Sequence, residues 1–212
     1  MLKTRVITAI AALAIVAVVL FMLPRPWAEG VIGLLLLAGA WEWSGFLGGD
    51  RAGVRVAFTA VVALCLAAVH AASPAQAESV LMVACAWWFI AFLWTLRFPT
   101  PSPAILRWIC GILVSVPLFV ALDTLLRLGV EYLLFILLIV WVAAGGAYFA
   151  GKTLGRVKLA PAISPGKTWE GVVGGLALVA LLAVAVAVWR DIAISLLVPF
   201  CLAVAAVSIV GD

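Results

Sequence analysis

Eight apolar segments, each long enough to cross a membrane, constrain the fold of this chain more than any other feature. A transmembrane helix needs about 20 successive apolar residues, and these segments do not alternate apolar with polar residues as membrane-spanning strands do. We therefore predict an all-α, polytopic integral membrane protein with about eight transmembrane helices. The segments are Val6–Leu23, Trp27–Leu47, Val54–Ala72, Ser79–Leu96, Ala104–Leu122, Tyr132–Ala150, Gly171–Trp189 and Ile192–Val210.

The composition excludes the other common classes of protein. Of the 212 residues, 68% are hydrophobic and 10% are charged, whereas soluble domains contain about 45–50% apolar and 25% charged residues. A soluble domain, a disordered chain and a disulfide scaffold are all incompatible with these values. Because one span and its loop take roughly 25 residues, eight helices use nearly the whole chain. Any chemistry must therefore use helix ends and short loops.

Basic residues in the connections predict how the helices are oriented. If the N-terminus is cytoplasmic, only Arg25, Arg127 and Arg190 lie outside, and the other ten of the 13 lysines and arginines lie inside. Cytoplasmic loops of membrane proteins are enriched in these residues, so we predict a cytoplasmic N-terminus. The first segment lacks a small-residue cleavage site, and we expect it to be retained as a helix.

One cytoplasmic connection, residues 152–170, is long, basic and rich in glycine and proline. Within it, Ser164 is a good helix N-cap and Pro165 suits the first helical position. A helix starting there would direct free N–H groups at the interface and form an anion site. The positive-inside bias, with anionic lipid contact, explains the same charges equally well. The composition of the loop leaves both interpretations open.

Two glycine patterns in this region have different implications. Gly166-Lys167-Thr168 resembles the end of a phosphate-binding P-loop, but that motif needs a glycine where Pro161 stands. We therefore reject a P-loop. The four-residue spacing of Gly171 and Gly175 allows close packing of two helices.

Three residues inside apolar segments are unusual there. Pro117 and Pro199 would kink or break their helices. Glu42 lies between two tryptophans in the inner part of the second segment, where an ionisable group is costly and is by default a functional candidate. Pairing with Arg51 or Arg55 is an equally good explanation of Glu42.

Several motifs together carry a resemblance to a known family. Three of them, Gly146–Lys152, Gly155–Pro161 and Ile163–Gly171, lie in one ungapped register of about 27 residues. Together with Trp41-Glu42-Trp43 and Ser208–Asp212, they resemble bacterial phosphatidate cytidylyltransferase, the CDP-diacylglycerol synthase family. The resemblance spans essentially the whole chain.

The resemblance implies a reaction and a set of site residues. It implies transfer of a cytidylyl group from CTP to phosphatidate, giving CDP-diacylglycerol and pyrophosphate with Mg²⁺ as cofactor. It also implies a multi-pass protein of the inner (cytoplasmic) membrane that forms a homodimer and binds no nucleic acid. By matching positions, Lys167 and Asp212 are the catalytic candidates, and Asp212 is the metal ligand. The candidates for substrate or nucleotide contact are Lys152, Arg156, Lys158, Ser164, Gly166, Lys167 and Thr168.

Two departures from the family pattern affect what we expect of this chain. Ala144 stands where the family has an aspartate, and the family continues with a long polar signature beyond the position of Asp212. We therefore expect three parts: transmembrane helices over 1–151, a basic cytoplasmic loop over 152–170, and the truncated start of a catalytic region over 171–212. Catalytic competence is then reduced, and the alternative function is a non-catalytic scaffold that binds anionic lipid or an intact partner. A polyprenol kinase is a third hypothesis, which the Ser-Pro-Gly-Lys-Thr-Trp sequence disfavours.

Overall fold

The computed structural model describes residues 15–47, 52–99 and 102–211, which are mostly helical. Seven helices within these ranges are long and apolar enough to cross a membrane. This confirms an all-α, multi-pass membrane protein, while the first half of the first predicted segment, Val6–Leu23, lies outside the described ranges. The elements are α1 (the helical residues 15–22), α2 (Arg25–Trp43), a 3₁₀ turn (Ser44–Leu47), α3 (Ala52–His70), α4 (Pro74–Thr95), α5 (Ala104–Leu128), α6 (Val130–Leu154), β1 (Lys158–Ala160), β2 (Ser164–Thr168), α7 (Trp169–Arg190) and α8 (Ile194–Gly211).

The chain divides into two compact units, which we call unit 1 (up to Val130) and unit 2 (from Glu131). The predicted three-part division concerned function rather than packing, and it stays a prediction.

In unit 1, large side chains from α2, α3 and α5 fill the space between the helices. Gly111 makes room for two rings, since a Cβ atom there would lie 2.5 Å from Trp43 Nε1 and 2.6 Å from Phe58 Cζ. The Trp43 indole N–H also donates a hydrogen bond to the Arg107 carbonyl oxygen at 3.0 Å. The core comprises Ala40, Leu47, Phe58, Val62, Leu66, Val116 and Phe119.

Charged side chains meet where α2 begins and where α3 and α5 end; we call this group the ionic cluster. Arg25 Nε lies 2.6 Å from a Glu29 carboxylate oxygen, and His70 Nδ1 lies 4.0 Å from the other oxygen. Arg127 Nε lies 2.9 Å from Asp123, which is also 4.0 Å from Arg25. Because Glu29 is only 9% exposed, these pairs compensate charges that would otherwise be costly inside a membrane protein.

In unit 2, α6 and α7 pack with their backbones in close contact. A Cβ atom at Gly175 would lie 2.7 Å from the Ala143 carbonyl oxygen, and one at Gly174 would lie 2.3 Å from Ala150 Cβ. The close packing predicted from the spacing of Gly171 and Gly175 is therefore confirmed. The small-residue core comprises Ile139, Ala143, Val179, Ala183, Cys201 and Ala205.

Pro117 and Pro199 both lie inside helices that continue on either side of them, α5 and α8. The predicted alternative of a break is therefore wrong at both positions. Membrane helices tolerate proline because neighbouring helices and local adjustments satisfy the freed backbone groups.

Candidate functional site

The basic loop folds into a β-hairpin, and this corrects the expected helix start at Ser164. Strands β1 and β2 run antiparallel, with Lys158 opposite Thr168 and Ala160 opposite Ser164. Ser164 and Pro165 therefore belong to a strand, and α7 begins at Trp169. Ser164 and Pro165 suit a helix start by residue type, but the pairing of β2 with β1 determines the local structure here.

Thr168, rather than Ser164, is the N-cap of α7. Its hydroxyl oxygen accepts a hydrogen bond from the Gly171 N–H at 3.2 Å, and the residue is only 6% exposed. Gly151 and Gly155 are needed beside it, since a Cβ atom at either position would lie within 3.0 Å of the Thr168 hydroxyl oxygen. These glycines let the end of α6 and the start of α7 approach each other.

The first amides of α7 are already used inside the protein. The Trp169 N–H donates to the Val157 carbonyl oxygen at 2.9 Å, and the Gly171 N–H donates to Thr168. The prediction of an anion site built on free N–H groups at this helix start is therefore wrong for these two donors. The lysine side chains that line the nearby cavity offer positive charge for an anion instead.

Glu170 ties the base of the hairpin to α7. Both of its carboxylate oxygens accept the Val157 N–H, at 3.1 and 3.2 Å. With the bond from Trp169, both backbone polar groups of Val157 are held by two successive residues of the first turn of α7. No local pattern predicts this contact, because its partners are 13 positions apart.

A cavity of about 540 Å³ lies in unit 2, between α6, α8, the hairpin and the first turn of α7. Its wall on α6 extends from Val140 to Lys152, a rise of about 18 Å along a helix axis. At one end the wall is apolar, with Val140 and Ala143, and at the other it carries Lys152 and Lys167. The cavity therefore combines an apolar interior with a cationic end.

Comparisons with known proteins agree with the motifs. A family model described as "Cytidylyltransferase family" matches residues 3–212. The chain is 38% identical over 183 residues to the phosphatidate cytidylyltransferase of Pseudomonas aeruginosa, covering 84% of this chain and 67% of that protein. It is 30% identical over 200 residues to the enzyme of the same name from Haemophilus influenzae, covering 83% of this chain and 69% of that one.

The chain belongs to the cytidylyltransferase family. A shorter match to the Bacillus subtilis phosphatidate cytidylyltransferase, 42% identical over 65 residues, covers 31% of this chain and 24% of that protein.

The structure brings together about half of the site residues predicted for a member of this family. Lys152, Gly166, Lys167 and Thr168 all line the cavity. Arg156, Lys158 and Ser164 lie on or just before the hairpin and are not among the lining residues. Asp212 lies outside the described ranges, although Ser208 and Ile209, shortly before it, form part of the cavity wall.

Tyr148 is a cavity residue that was not among the predicted site residues. It lies on the wall, one helical turn before Lys152, and the Lys152 Nζ atom is 5.6 Å from the centroid of its ring. A cation at this distance from an aromatic face is attracted by the electron density of the ring. The four-residue spacing on a helix was the available signal.

The described part of the cavity wall does not by itself fit a magnesium ion. Mg²⁺ prefers carboxylate oxygens and water, whereas the acidic position of the family is occupied by Ala144, which lies on the wall. Among the residues with described placement, no lining residue is acidic, and no three His, Cys, Asp or Glu residues are grouped. Magnesium binding stays a prediction that depends on Asp212.

Proposed function

We propose that this chain is a phosphatidate cytidylyltransferase, a CTP-dependent nucleotidyltransferase of phospholipid synthesis. The observation that carries the proposal is that Lys152 and Lys167 both lie at one end of an otherwise largely apolar cavity. The names of the Pseudomonas and Haemophilus relatives support the same activity and favour it over a non-catalytic scaffold.

The cavity suits two substrates of unlike character. Phosphatidate carries acyl chains that match an apolar wall such as Val140 and Ile209, and a phosphate that matches the lysines. CTP is water-soluble and carries a triphosphate, so it would reach the same lysines from the side of the hairpin. A reaction between a membrane lipid and a cytosolic nucleotide needs a site of this kind at the membrane boundary.

In the proposed reaction, a phosphate oxygen of phosphatidate forms a bond to the α-phosphorus of CTP. The bond from that phosphorus to the oxygen bridging the β-phosphorus breaks, and pyrophosphate leaves with the electron pair. Negative charge builds on the leaving group, and fixed cations are effective in stabilising it. Lys167 and Lys152 would supply that charge, while Thr168 holds the start of α7 next to Lys167.

We also propose the location and assembly that the family resemblance implies. The hairpin would face the cytoplasm, where CTP is available, with the helices in the inner membrane. Ten inside cations against three outside ones support this orientation. A homodimer is part of the same proposal, and Mg²⁺ would be held in part by Asp212.

Replacing Lys167 with alanine tests the proposed activity. We expect Lys167→Ala to lower the turnover of radiolabelled CTP and phosphatidate into CDP-diacylglycerol by about 100-fold, since one donor to a developing charge is typically worth that much. Arg190→Ala, which removes a cation from the opposite end of α7, should leave turnover unchanged. Equal turnover in Lys167→Ala and wild type would refute the role of Lys167. A wild-type chain that binds phosphatidate vesicles but forms no product would support the scaffold instead.

A further inference from the structure

Anion binding does not explain why an acidic residue, Glu170, stands next to the basic hairpin. It is the only acidic residue between Lys152 and Gly171, and it is not among the residues that line the cavity. A carboxylate close to a cationic site weakens anion binding if only its charge matters, because like charges repel. The hydrogen bonds of Glu170 indicate a different role.

The contacts of Glu170 fix one particular point of the chain. Val157 directly precedes β1, and its N–H is held by Glu170 while its carbonyl oxygen is held by the Trp169 N–H. The base of the hairpin is thereby attached to the first turn of α7 through both sides of a single peptide segment. Such an attachment restrains the hairpin as a body, because β1 and β2 are joined by their own ladder.

The restraint reaches the cavity through β2. Lys167 is the next-to-last residue of β2. Thr168, which follows it, is paired with Lys158, the first residue of β1. Leu159 of β1 and Gly166 and Lys167 of β2 line the cavity together with Thr168. A hairpin released at Val157 would therefore carry Lys167 away from the wall that it shares with Lys152.

We propose that Glu170 is a positioning residue: it holds the hairpin against α7 so that Lys167 stays at the cavity wall. The identity of the anion, the triphosphate of CTP, rests on the proposed function, whereas the restraint on the hairpin does not. Glu170 acts through the hydrogen bonds that it accepts from Val157.

Three variants of the full chain separate the hydrogen bond from the charge. Glu170→Gln removes the charge and keeps an acceptor oxygen for Val157, whereas Glu170→Ala removes both. Glu170→Asp keeps the charge but shortens the side chain by one methylene. Glu131→Ala is the matched control, because Glu131 is also a first-turn glutamate but belongs to α6, at the end remote from Lys152.

The dissociation constant for CTP should change in opposite directions in Glu170→Ala, depending on whether the hydrogen bonds of Glu170 or only its charge affects binding. We expect it to rise about tenfold in Glu170→Ala, as loss of a restraint worth one hydrogen bond to a charged group would give, and to rise in Glu170→Asp. It should stay unchanged or fall in Glu170→Gln and stay unchanged in Glu131→Ala. Tighter binding in both Glu170→Ala and Glu170→Gln would show that only the charge matters and would overturn the proposal.

Hydrogen exchange of residues 155–168 tests the restraint without any substrate. We expect faster exchange in Glu170→Ala and Glu170→Asp than in wild type and Glu170→Gln, at matched thermal stability. Equal exchange in all four proteins would overturn the proposal even if CTP binds. If wild type fails to bind CTP, the proposed function fails, and the exchange pattern still decides the role of Glu170. Should Glu170→Ala not fold, Glu170→Asp against Glu170→Gln makes the same comparison.

Discussion

Units 1 and 2 are both built from membrane-length helices, but they are held together by different means. In unit 1, Gly111 accommodates the rings of Trp43 and Phe58, and the ionic cluster joins α2, α3 and α5. In unit 2, Gly174 and Gly175 bring the backbones of α6 and α7 together. Lipid chains are as apolar as leucine, so van der Waals packing and polar contacts must drive helix association in both cases.

This difference in packing bears on where a substrate-binding site can form. In unit 1, large side chains fill the space between α2, α3 and α5, and the ion pairs lie at the ends of these helices. In unit 2, small residues such as Ala143, Ala144 and Ala147 line a cavity next to two lysines. In unit 2, α6 and α7 make close backbone contact without large side chains between them at Gly174 and Gly175.

The largest effect is expected where a backbone contact is blocked. Gly175→Ala places a methyl group 2.7 Å from the Ala143 carbonyl oxygen, and a backbone atom cannot rotate away. We expect a loss of about 3 kcal/mol, at the upper end for overpacking, measured as a lower thermal unfolding midpoint in mild detergent.

Two other glycines provide the comparison for Gly175→Ala. Gly111→Ala meets the side chains of Trp43 and Phe58, which can shift in part, so a loss of about 1 kcal/mol is expected. Gly145→Ala, with nothing within 4 Å of the added carbon, should leave the midpoint unchanged or raise it slightly. A smaller loss at Gly175 than at Gly111 would contradict the distinction drawn between the two units.

An intermediate effect, confined to unit 1, is expected from the ionic cluster. Glu29→Ala leaves His70 without its carboxylate partner and Arg25 with only the Asp123 contact at 4.0 Å, and breaking a buried pair is strongly destabilising. Because the Arg25 side chain is 45% exposed, we expect about 2 kcal/mol rather than the full cost of an unpaired buried charge. Thermal unfolding measures this loss, and the affinity for CTP should not change.

The control for Glu29→Ala is Glu78→Ala, which removes an exposed glutamate of α4 in the same unit. We expect no measurable loss of stability from that change, as for most exposed charges. Equal losses from both variants would mean that the ionic cluster contributes nothing specific.

The smallest effect is expected at the cap of α7. Thr168→Val removes the hydroxyl acceptor of the Gly171 N–H at nearly constant volume, which should cost about 1 kcal/mol. Because Lys167 is the adjacent residue, CTP affinity should also fall a few-fold. Thr168→Ser keeps the acceptor and should behave like wild type in both measurements. If Thr168→Ser lost as much as Thr168→Val, packing of the methyl group rather than capping would be the reason.

The fold was largely predictable because the bilayer imposes a simple rule on it. The last seven apolar segments correspond to described helices, with ends that differ by six residues at most, and the spacing of Gly171 and Gly175 predicted the contact that Gly175 makes with α6. Both signals are local in sequence. Residue type alone predicted a kink or a break at Pro117 and Pro199, yet both helices continue through them. Neighbouring groups in a membrane protein compensate for the missing backbone donors.

The site was predictable only in part, for a physical reason. Charge and motif predicted Lys152 and Lys167 as substrate contacts; both line the cavity, and their role in binding or catalysis stays a prediction. The hairpin was missed, because pairing of Lys158 with Thr168 depends on segments ten residues apart and competes with a plausible cap at Ser164. The link from Glu170 to Val157 follows from that pairing and could not be anticipated before it.

Because the hairpin is attached to α7, we expect the depth of Lys167 in the membrane to depend on bilayer thickness. The 22 residues of α7 extend for about 33 Å, close to the hydrocarbon thickness of about 30 Å in a typical bilayer. A helix that exceeds a thinner bilayer tilts, and a hairpin fixed to its first turn must move with it. Lipids that alter membrane thickness would therefore shift the basic end of the cavity relative to the phosphates of the surrounding headgroups.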